Sequence, residues 1–381
     1  MSRHNYNSVL FLTLKVFSAT GGIEKVNRIV GRAIHSIGLE SGNKAKVYSM
    51  YDEVADTDEK YFPKQIFKGF GSNRLKFVQK SVQQGKKSDV VILSHINLLS
   101  VGYSIKLLSP STKLILITHG IEVWKPFSAF KKKMFLKCDL ILPVSKYTKN
   151  KLMELNDIPE EKFFVLNNCL DPFLPEPVKG AKSNELLSKY GFTNEHKILL
   201  TLTRLASGER YKGYDHVLRS LKKLIPENPL LRYLIIGKYD AIEKKRLDTL
   251  IKELNIEKYV VFAGFVPDEA IAEHFNLADV YVMPSKKEGF GIVFIEAMYY
   301  GKPVIAGNKD GSVDALAGGD FGLLVDPDDE VEIMNAIKKV VANTQAYIPD
   351  HQEFMNKFSF PVYKEKLVHL LSSKNTIELT V

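Results

Sequence analysis

The chain has 381 residues, of which 45% are hydrophobic and 25% charged, and its formal net charge is +9. This length exceeds what one hydrophobic core usually supports, so we expect two domains of roughly 150 to 200 residues, and the ordinary composition excludes long disordered stretches. Two cysteines, Cys138 and Cys169, exclude a disulfide framework or a cysteine-rich metal site, and no segment approaches the about 18 apolar residues of a membrane span.

The positive charge belongs to the first half of the chain. Residues 1–180 carry 27 Lys and Arg against 16 Asp and Glu, whereas the remainder carries 26 against 28. An anionic partner is therefore expected to meet the first half. The N-terminal run SVLFLTLKVF is interrupted by Lys15 and lacks a small-residue cleavage site, so it favours a first strand over a signal peptide. The expected location is the cytoplasm, with peripheral binding to the inner face of the cytoplasmic membrane as an extension.

Short β-branched runs, each followed by helix-forming sequence, predict parallel strands covered by helices. In chain order they are VLFLTL (9–14), AKVYS (45–49), DVVIL (89–93), KLILIT (113–118) and DLILPVS (139–145), and then, after residue 195, KILLTLT, RYLIIG, YVVFAG, DVYVMP, PVIAG and GLLVD. The Pro-, Gly- and Lys-rich stretch DPFLPEPVKGAKS (171–183) separates the two series and is the predicted linker. The sequence thus predicts the α/β class, with two doubly wound, Rossmann-like domains that face each other across a ligand-binding cleft.

The stretch WKPFSAFKKKMFLKCD (124–139) interleaves lysines with large apolar residues. This composition is typical of a helix that lies on an anionic membrane surface, and it is equally typical of an ordinary amphipathic helix with a solvated basic face. Both interpretations stay open. Nucleic acid is not expected as the anionic partner, because the sequence contains no recognised binding module.

The run EGFGIVFIEAMYYG (288–301) contains a carboxylate that is difficult to place. Glu296 is the only charge in a helix of apolar residues, where a carboxylate needs a partner to replace its lost hydration. A buried salt bridge would supply one, and a bound ligand would supply another. The turn before the helix would present backbone N–H groups to an anion, because helix N-termini attract phosphate and glycines let a ligand approach the backbone. The candidate binding residues of this turn are Gly289, Phe290, Gly291 and Ile292.

Glu288 and Glu296, separated by seven residues, resemble the E-x7-E signature of retaining glycosyltransferases of the GT-B fold, in the family called GT4. The resemblance implies that Glu296 holds the ribose hydroxyls of a donor nucleotide and that Glu288 lies by the donor sugar. It also implies an acceptor-side domain, 1–175, and a nucleotide-sugar-binding domain, 176–357. The segment FSFPVYKEKLVHLL resembles the terminal helix of this architecture, so residues 358–381 are predicted to cross back to the first domain.

A second segment, LTRLASGERYKGYDHVLRSL, is similar to the Arg…Lys-Gly segment of the same family. The resemblance gives Arg204 and Lys212 the role of a clamp on the donor diphosphate. Fixed cations suit this role because no Asp-x-Asp metal site is found where one is expected, so no metal and no further cofactor is required. Two surface cations beside a turn are the alternative.

Three further candidates follow from the resemblance. Gly21 and Gly22 in FSATGGIEKVNRIV look like the glycine loop that approaches the donor phosphate, although a tight turn would also explain them. His119, at the end of the strand LILIT, is assigned to the donor sugar, with a structural histidine as the alternative. The loop at Phe265 and Val266 is expected to pass the nucleotide base.

One departure from the family pattern follows the strand PVIAG. Where the family commonly has Gly-Gly and a Glu, this chain has GNKDGSVDAL, in which Asp314 stands in for the Glu. A sugar-contacting role for Asp310 or Ser312 is therefore not assigned.

The resemblance implies a metal-independent, retaining glycosyltransferase with His119, Glu288, Arg204 and Lys212 as catalytic residues. A UDP- or GDP-sugar would be the donor and a saccharide or lipid-linked molecule the acceptor, in cell-surface glycan biosynthesis such as that of lipopolysaccharide or glycolipid. A GT-B sugar-nucleotide 2-epimerase and a non-catalytic nucleotide-sugar-binding subunit are the alternatives. A dehydrogenase is disfavoured because no G-x-G-x-x-G follows the first strand. The sequence does not predict the oligomeric state.

Overall fold

The structure is a computed structural model that describes residues 6–373. The chain divides into two compact units, which we call unit 1 (residues up to Pro172, together with the segment from Phe358 onward) and unit 2 (Phe173–Lys357). The first boundary lies a few residues before the predicted one because Tyr300 Oη donates a hydrogen bond to the Pro175 carbonyl at 3.1 Å, which ties the end of the linker to unit 2.

Unit 1 is built on a six-stranded parallel sheet with the strand order β3-β2-β1-β4-β5-β6. Its strands are β1 (Ser8–Thr13), β2 (Lys44–Ser49), β3 (Phe67–Gly69), β4 (Val90–Leu93), β5 (Lys113–Thr118) and β6 (Leu140–Pro143), and its helices before the linker are α1 (Gly22–Ser41), α2 (Arg74–Gly85), α3 (Leu99–Leu108), α4 (Ala129–Phe135) and α5 (Lys146–Asn156). Every position of β4 and β6 is buried, as expected for strands covered on both faces. The edge strand β3 has no counterpart among the predicted strands, because three residues that include Lys68 and Gly69 form no apolar run.

Unit 2 repeats the plan with a second parallel sheet, in the order β12-β11-β10-β7-β8-β9. Its strands are β7 (Lys197–Leu202), β8 (Leu231–Ile236), β9 (Val260–Gly264), β10 (Val280–Met283), β11 (Val304–Gly307) and β12 (Leu323–Val325). Its helices are α6 (Asn184–Tyr190), α7 (Tyr214–Leu224), α8 (Ala241–Glu253), α9 (Ile271–Leu277), α10 (Ile292–Tyr299), α11 (Ser312–Ala315) and α12 (Glu330–Ala342). All six strands correspond to predicted runs.

The last two helices are α13 (His351–Phe358) and α14 (Phe360–Ser372). Helix α14 packs on α1, and Lys113 Nζ donates to the Leu370 carbonyl at 2.7 Å, so the segment from 358 to 373 belongs to unit 1. Residues 374–381 of the predicted terminal helix lie outside the described residues. Among residues 6–373, no helix combines the length and the apolar character needed to cross a bilayer.

Each sheet has one point where the strand order reverses, between β1 and β4 in unit 1 and between β7 and β10 in unit 2. Loops that follow such a pair of strands leave the sheet in opposite directions and open a crevice at its carboxyl edge, where open α/β sheets bind ligands. The predicted class, α/β with two doubly wound units, is confirmed.

Candidate active site

The centre of the candidate site is a largely buried ion pair between Lys212 and Glu288. Lys212 follows β7 and Glu288 follows β10, so the pair lies at the point where the strand order of unit 2 reverses. Only 15% of the Lys212 side chain and 14% of the Glu288 side chain are exposed. Burial opposes the charged form of Lys212, but the carboxylate of Glu288 outweighs it and raises the pKa of the ammonium group.

The loops that carry the two charges contact each other through their backbones. Lys286 N donates to the Tyr211 carbonyl at 3.0 Å. Gly213 has φ +81°, and a Cβ there would lie 2.2 Å from the Pro284 carbonyl oxygen, so only glycine fits this close approach. The sequence prediction brought Lys212 and Glu288 to the same ligand but did not anticipate that they pair with each other.

The turn after Glu288 leads directly into α10. Gly291, with φ +82°, precedes the first helical residue Ile292, no side chain caps this helix, and Phe290 is buried beneath the turn. Helices leave their first backbone N–H groups without an intrahelical partner, so such a start suits an anion. The predicted binding residues of this turn, Gly289, Phe290, Gly291 and Ile292, thus all belong to one short segment at the carboxyl edge of the sheet.

Glu296 lies one turn into α10 and is only 4% exposed. Its carboxylate is close enough to Tyr300 and Tyr281 to help raise the pKa of both phenols, although burial is the larger cause for each. The residue therefore occupies the buried position on the helix that its apolar neighbours predicted.

Asp310 is a buried residue of the site to which the sequence prediction gave no role. It follows β11, it is completely buried, and its Oδ2 accepts a hydrogen bond from Glu288 N at 2.7 Å. Burial, together with the negative charge of Glu288, raises the pKa of the Asp310 carboxyl to about 7. A charged residue just after a buried strand, in the run GNKDGS, was the sequence signal that could have found it.

Arg204 and Val266 lie on other loops of unit 2. The Arg204 side chain is 69% exposed and forms an ion pair with Glu209 of the same loop. Val266 is buried, whereas its neighbour Phe265 is 54% exposed and has Lys238 Nζ 4.5 Å from its ring centroid. Of the two residues predicted to pass the nucleotide base, Phe265 therefore offers the accessible ring.

Gly21 and Gly22 of unit 1 stand at the start of α1. Gly21 has an ordinary extended backbone with φ −116°, so its backbone conformation does not itself require glycine. The space that a Cβ on Gly22 would occupy is open. The preceding loop is held by Asp52, a buried residue that the sequence prediction missed, because its carboxylate accepts backbone N–H groups of Val16 at 2.6 Å and Ser18 at 2.7 Å.

His119 of unit 1 follows β5 and has structural contacts. Its Nε2 lies 2.7 Å from the Ser94 carbonyl, which can only accept, so this nitrogen carries a hydrogen. Its backbone N donates to Glu122 Oε1 at 2.5 Å. The structure thus ties His119 to the ends of two neighbouring strands, in line with the structural alternative, and leaves one ring nitrogen for a ligand.

The lysine-rich segment 124–139 contains α4 and packs on the sheet of unit 1. Its apolar residues Trp124, Phe127, Met134, Phe135 and Leu136 all belong to or pack against the core of that unit. Phe130, by contrast, is 63% exposed. Most of the apolar composition is therefore that of an ordinary amphipathic helix.

No group of three or more His, Cys, Asp or Glu side chains with the spacing of a metal site occurs within residues 6–373.

The second unit matches a family model. Residues 182–357 match the model described as glycosyl transferases group 1. Among curated proteins, the chain is 27% identical over 249 residues to a GDP-mannose-dependent α-(1-6)-phosphatidylinositol monomannoside mannosyltransferase of Mycolicibacterium smegmatis, covering 61% of each chain. It is 27% identical over 220 residues to the mannosylfructose-phosphate synthase of Agrobacterium fabrum, covering 56% of this chain and 47% of that protein. The matches thus span less than two thirds of these relatives.

Solved structures share the fold over nearly the whole chain. A crystal structure of Anabaena Alr3699/HepE in complex with UDP has a TM-score of 0.78 at 21% identity, covering 96% of this chain and 99% of that one. The apo form of the lipopolysaccharide outer core galactosyltransferase WaaB has a TM-score of 0.70 at 17% identity, covering 98% and 100%. The predicted GT-B fold class is confirmed.

Proposed function

Because residues 182–357 match the model of the group 1 glycosyl transferases, we propose that the chain transfers a sugar from a nucleotide-sugar donor to a saccharide or lipid-linked acceptor. The transfer would need no metal and would retain the configuration of the anomeric carbon. Cell-surface glycan biosynthesis is the proposed setting.

The observation that carries this proposal is the Lys212–Glu288 pair at the carboxyl edge of β7 and β10. An ammonium group and a carboxylate side by side suit a ligand that carries both an anionic diphosphate and neutral hydroxyl groups, since an ammonium donates and a carboxylate accepts. A nucleotide sugar has this combination on adjacent groups. The start of α10 beside the pair adds backbone N–H groups for the phosphates.

The chemistry builds positive charge on the anomeric carbon and negative charge on the departing diphosphate. In the proposed assignment, Glu288 lies on the sugar side, while Lys212 and Arg204 neutralise the leaving group. Glu296 holds the ribose in the same assignment. A diphosphate oxygen would take the acceptor proton during attack on the same face of the sugar.

The donor proposal is a UDP- or GDP-sugar. The Mycolicibacterium relative is named as GDP-mannose-dependent, and the Anabaena structure contains UDP, so both bases occur among the similar proteins. The ring of Phe265, beside Lys238, is the proposed contact for the base. Stacking on the Phe265 ring alone should not discriminate between uracil and guanine, because either base can stack on it.

Two other functions fit the same donor. A sugar-nucleotide 2-epimerase would convert the donor without an acceptor, and a binding subunit would hold it without turnover. The side-by-side placement of Lys212 and Glu288 favours transfer over binding alone, because a protein that only binds the nucleotide has less need of the sugar-side carboxylate.

Turnover of the donor tests the proposal. Purified protein is incubated in EDTA with UDP- and GDP-sugars, with and without saccharide acceptors, and the released nucleoside diphosphate and the sugar products are measured. We expect release that rises with an acceptor, whereas epimerised donor without release would identify the epimerase. Glu288→Gln should lower turnover about 100-fold or more, the range found when a charge-stabilising group is removed. Glu227→Gln, in an exposed ion pair with Lys338, is the matched control and should keep full turnover.

A lipid-linked acceptor would require contact with a membrane surface. The excess of basic residues in positions 1–180 and the exposed ring of Phe130 beside Lys131, Lys132 and Lys133 support an anionic surface as a partner of unit 1. Absence of binding to vesicles of anionic lipid at low salt would remove this part of the proposal.

A further inference from the structure

The backbone of Glu288 is held on both sides by the loop that follows β11. Asp310 Oδ2 accepts from Glu288 N at 2.7 Å, and Gly311 N donates to the Glu288 carbonyl at 2.8 Å. Both polar groups of one peptide residue are therefore bound by two consecutive residues of another strand-end loop. The side chain of Glu288 is held separately, by Lys212.

The two loops approach each other as closely as glycine allows. A Cβ on Gly311 would lie 2.1 Å from the carbonyl oxygen of Gly289, which no real side chain tolerates. The approach brings Asp310 under the turn and excludes water from it, since Asp310 and Ser312 are both completely buried.

The Asp310 carboxylate also organises its own loop. Its Oδ1 accepts from Ser312 N at 2.9 Å, an arrangement common in turns that begin with Asp. One oxygen thus serves the local turn and the other reaches to Glu288. A residue needed only for the turn would use only the first of these two contacts.

We propose that Asp310 is a positioning residue for Glu288, which holds the backbone of that glutamate so that its carboxylate meets the donor sugar. This inference rests on the function proposed above. The two hydrogen bonds that Asp310 accepts, from Glu288 N and Ser312 N, need an ionised carboxylate. A protonated carboxyl oxygen would carry an O–H donor that faces a backbone N–H donor. The charged group that acts on Asp310 is Glu288, which is itself paired with Lys212. The preceding residue, Lys309, is paired with Asp326 and Asp328 instead.

Asp310→Asn tests the assignment, because it keeps the shape and one acceptor oxygen. The amide can still serve Ser312 N or Glu288 N, but not both. We expect kcat for donor turnover to fall about tenfold or more, in keeping with the sensitivity of catalysis to small misplacements, while the Kd of the nucleoside diphosphate stays within about twofold. The amide hydrogen of Glu288 should exchange with solvent at least about tenfold faster in the variant, which is measured without any substrate.

The pH profile of kcat separates positioning from a general structural role. The wild-type protein should lose turnover as the pH falls through about 7, where Asp310 takes up a proton, and Asp310→Asn should lack this limb. Asp248→Asn, at a partly exposed ion pair on α8, is the matched control and should keep the wild-type rate, exchange and profile.

Two outcomes would overturn the inference. If wild-type protein turns over the donor and Asp310→Asn matches it in kcat, profile and exchange, Asp310 does not position Glu288, and the proposed function stands. If wild-type protein turns over no nucleotide sugar, the proposed function fails and the assignment of Asp310 to it fails with it.

Discussion

Lys212→Met removes the ammonium group from the buried ion pair with Glu288 while keeping an unbranched side chain of similar length. The carboxylate left behind is 14% exposed and has lost its cation. Removing one partner of a fully buried pair usually destabilises a protein by about 3–5 kcal/mol, and the partial exposure of both side chains argues for a somewhat smaller loss. We therefore expect unit 2 to lose about 2–4 kcal/mol of its free energy of unfolding.

The same pair governs the affinity for a diphosphate. Removing Lys212 should weaken binding by about 1.5–3 kcal/mol, or about 10- to 150-fold in Kd, the range for hydrogen bonds to charged groups. Glu288→Gln should have the opposite effect on the affinity for a nucleoside diphosphate that carries no sugar. It releases Lys212 from its carboxylate, so the nucleoside diphosphate should bind at least as tightly as to the wild-type protein, although turnover of the sugar donor falls.

A double-mutant cycle measures the coupling directly. Lys212→Met, Glu288→Gln and the double variant are compared by calorimetric unfolding, and Trp124, the single tryptophan of the chain, reports the transition of unit 1 by its fluorescence. Contacting residues typically couple by about 0.5–3 kcal/mol, so the double variant should be more stable than the sum of the single losses predicts. Lys338→Met, in an exposed pair with Glu227, should change stability by less than about 0.5 kcal/mol.

Additive losses in the cycle, or a Lys212→Met variant with wild-type affinity for every nucleoside diphosphate, would refute this reasoning. The first result would mean that the two side chains do not stabilise each other in solution. The second would remove Lys212 from the diphosphate site.

Three further predictions concern other parts of the molecule. Burial raises the pKa of Asp310 from 3.8 to about 7, so between these pH values the folded state holds a proton that the unfolded state releases. The free energy of unfolding should therefore fall by up to about 4 kcal/mol as the pH rises from about 4 to about 7. Asp310→Asn should remove this part of the pH dependence in urea unfolding, and an unchanged pH dependence would contradict the buried titration. Asp52→Ala leaves buried N–H donors of the first loop without an acceptor, so it should lower the free energy of unfolding of unit 1 by about 2–4 kcal/mol. Trp124 fluorescence measures this unfolding, and a loss below about 0.5 kcal/mol would count against the role of Asp52 in holding the loop. Phe130→Ser should weaken sedimentation with anionic vesicles at low salt, whereas Leu39→Ser, at a similarly exposed apolar position on α1, should not. Equal binding by both variants would exclude Phe130 from the membrane-binding surface.

The sheets could be predicted from the sequence because buried parallel strands consist of short runs of apolar residues. Eleven of the twelve strands follow from such runs, and the exception, β3, is short and half polar. The carboxyl ends of β7 and β10 were marked by Arg204, Lys212 and Glu288, so the place of the candidate site followed from the fold class.

The partners within the site could not be predicted, because they depend on how closely two loops approach. No pattern in the sequence pairs Lys212 with Glu288, which are 76 positions apart, or joins Asp310 to the Glu288 backbone. The glycines at 213 and 311 permit these close approaches, but a glycine in the sequence does not indicate which loop will pack against it.

The interpretation of segment 124–139 shows a further limit. Its composition left a membrane-surface helix and an ordinary amphipathic helix equally open, and only the packing of Phe127 and Phe135 into the core distinguishes the inward residues from Phe130. Composition gives the number of apolar residues in a helix, and tertiary packing decides which of them remain exposed.

A calorimetric titration of the purified protein tests the central claim most directly. UDP, GDP, ADP and CMP are titrated separately in the presence of EDTA. We predict that at least one nucleoside diphosphate binds without metal, that Lys212→Met weakens this binding, and that CMP, which has a single phosphate, binds much less tightly. The identity of that diphosphate would name the donor class. Absence of binding by all four nucleotides would contradict the proposal that the Lys212–Glu288 site receives a nucleotide sugar.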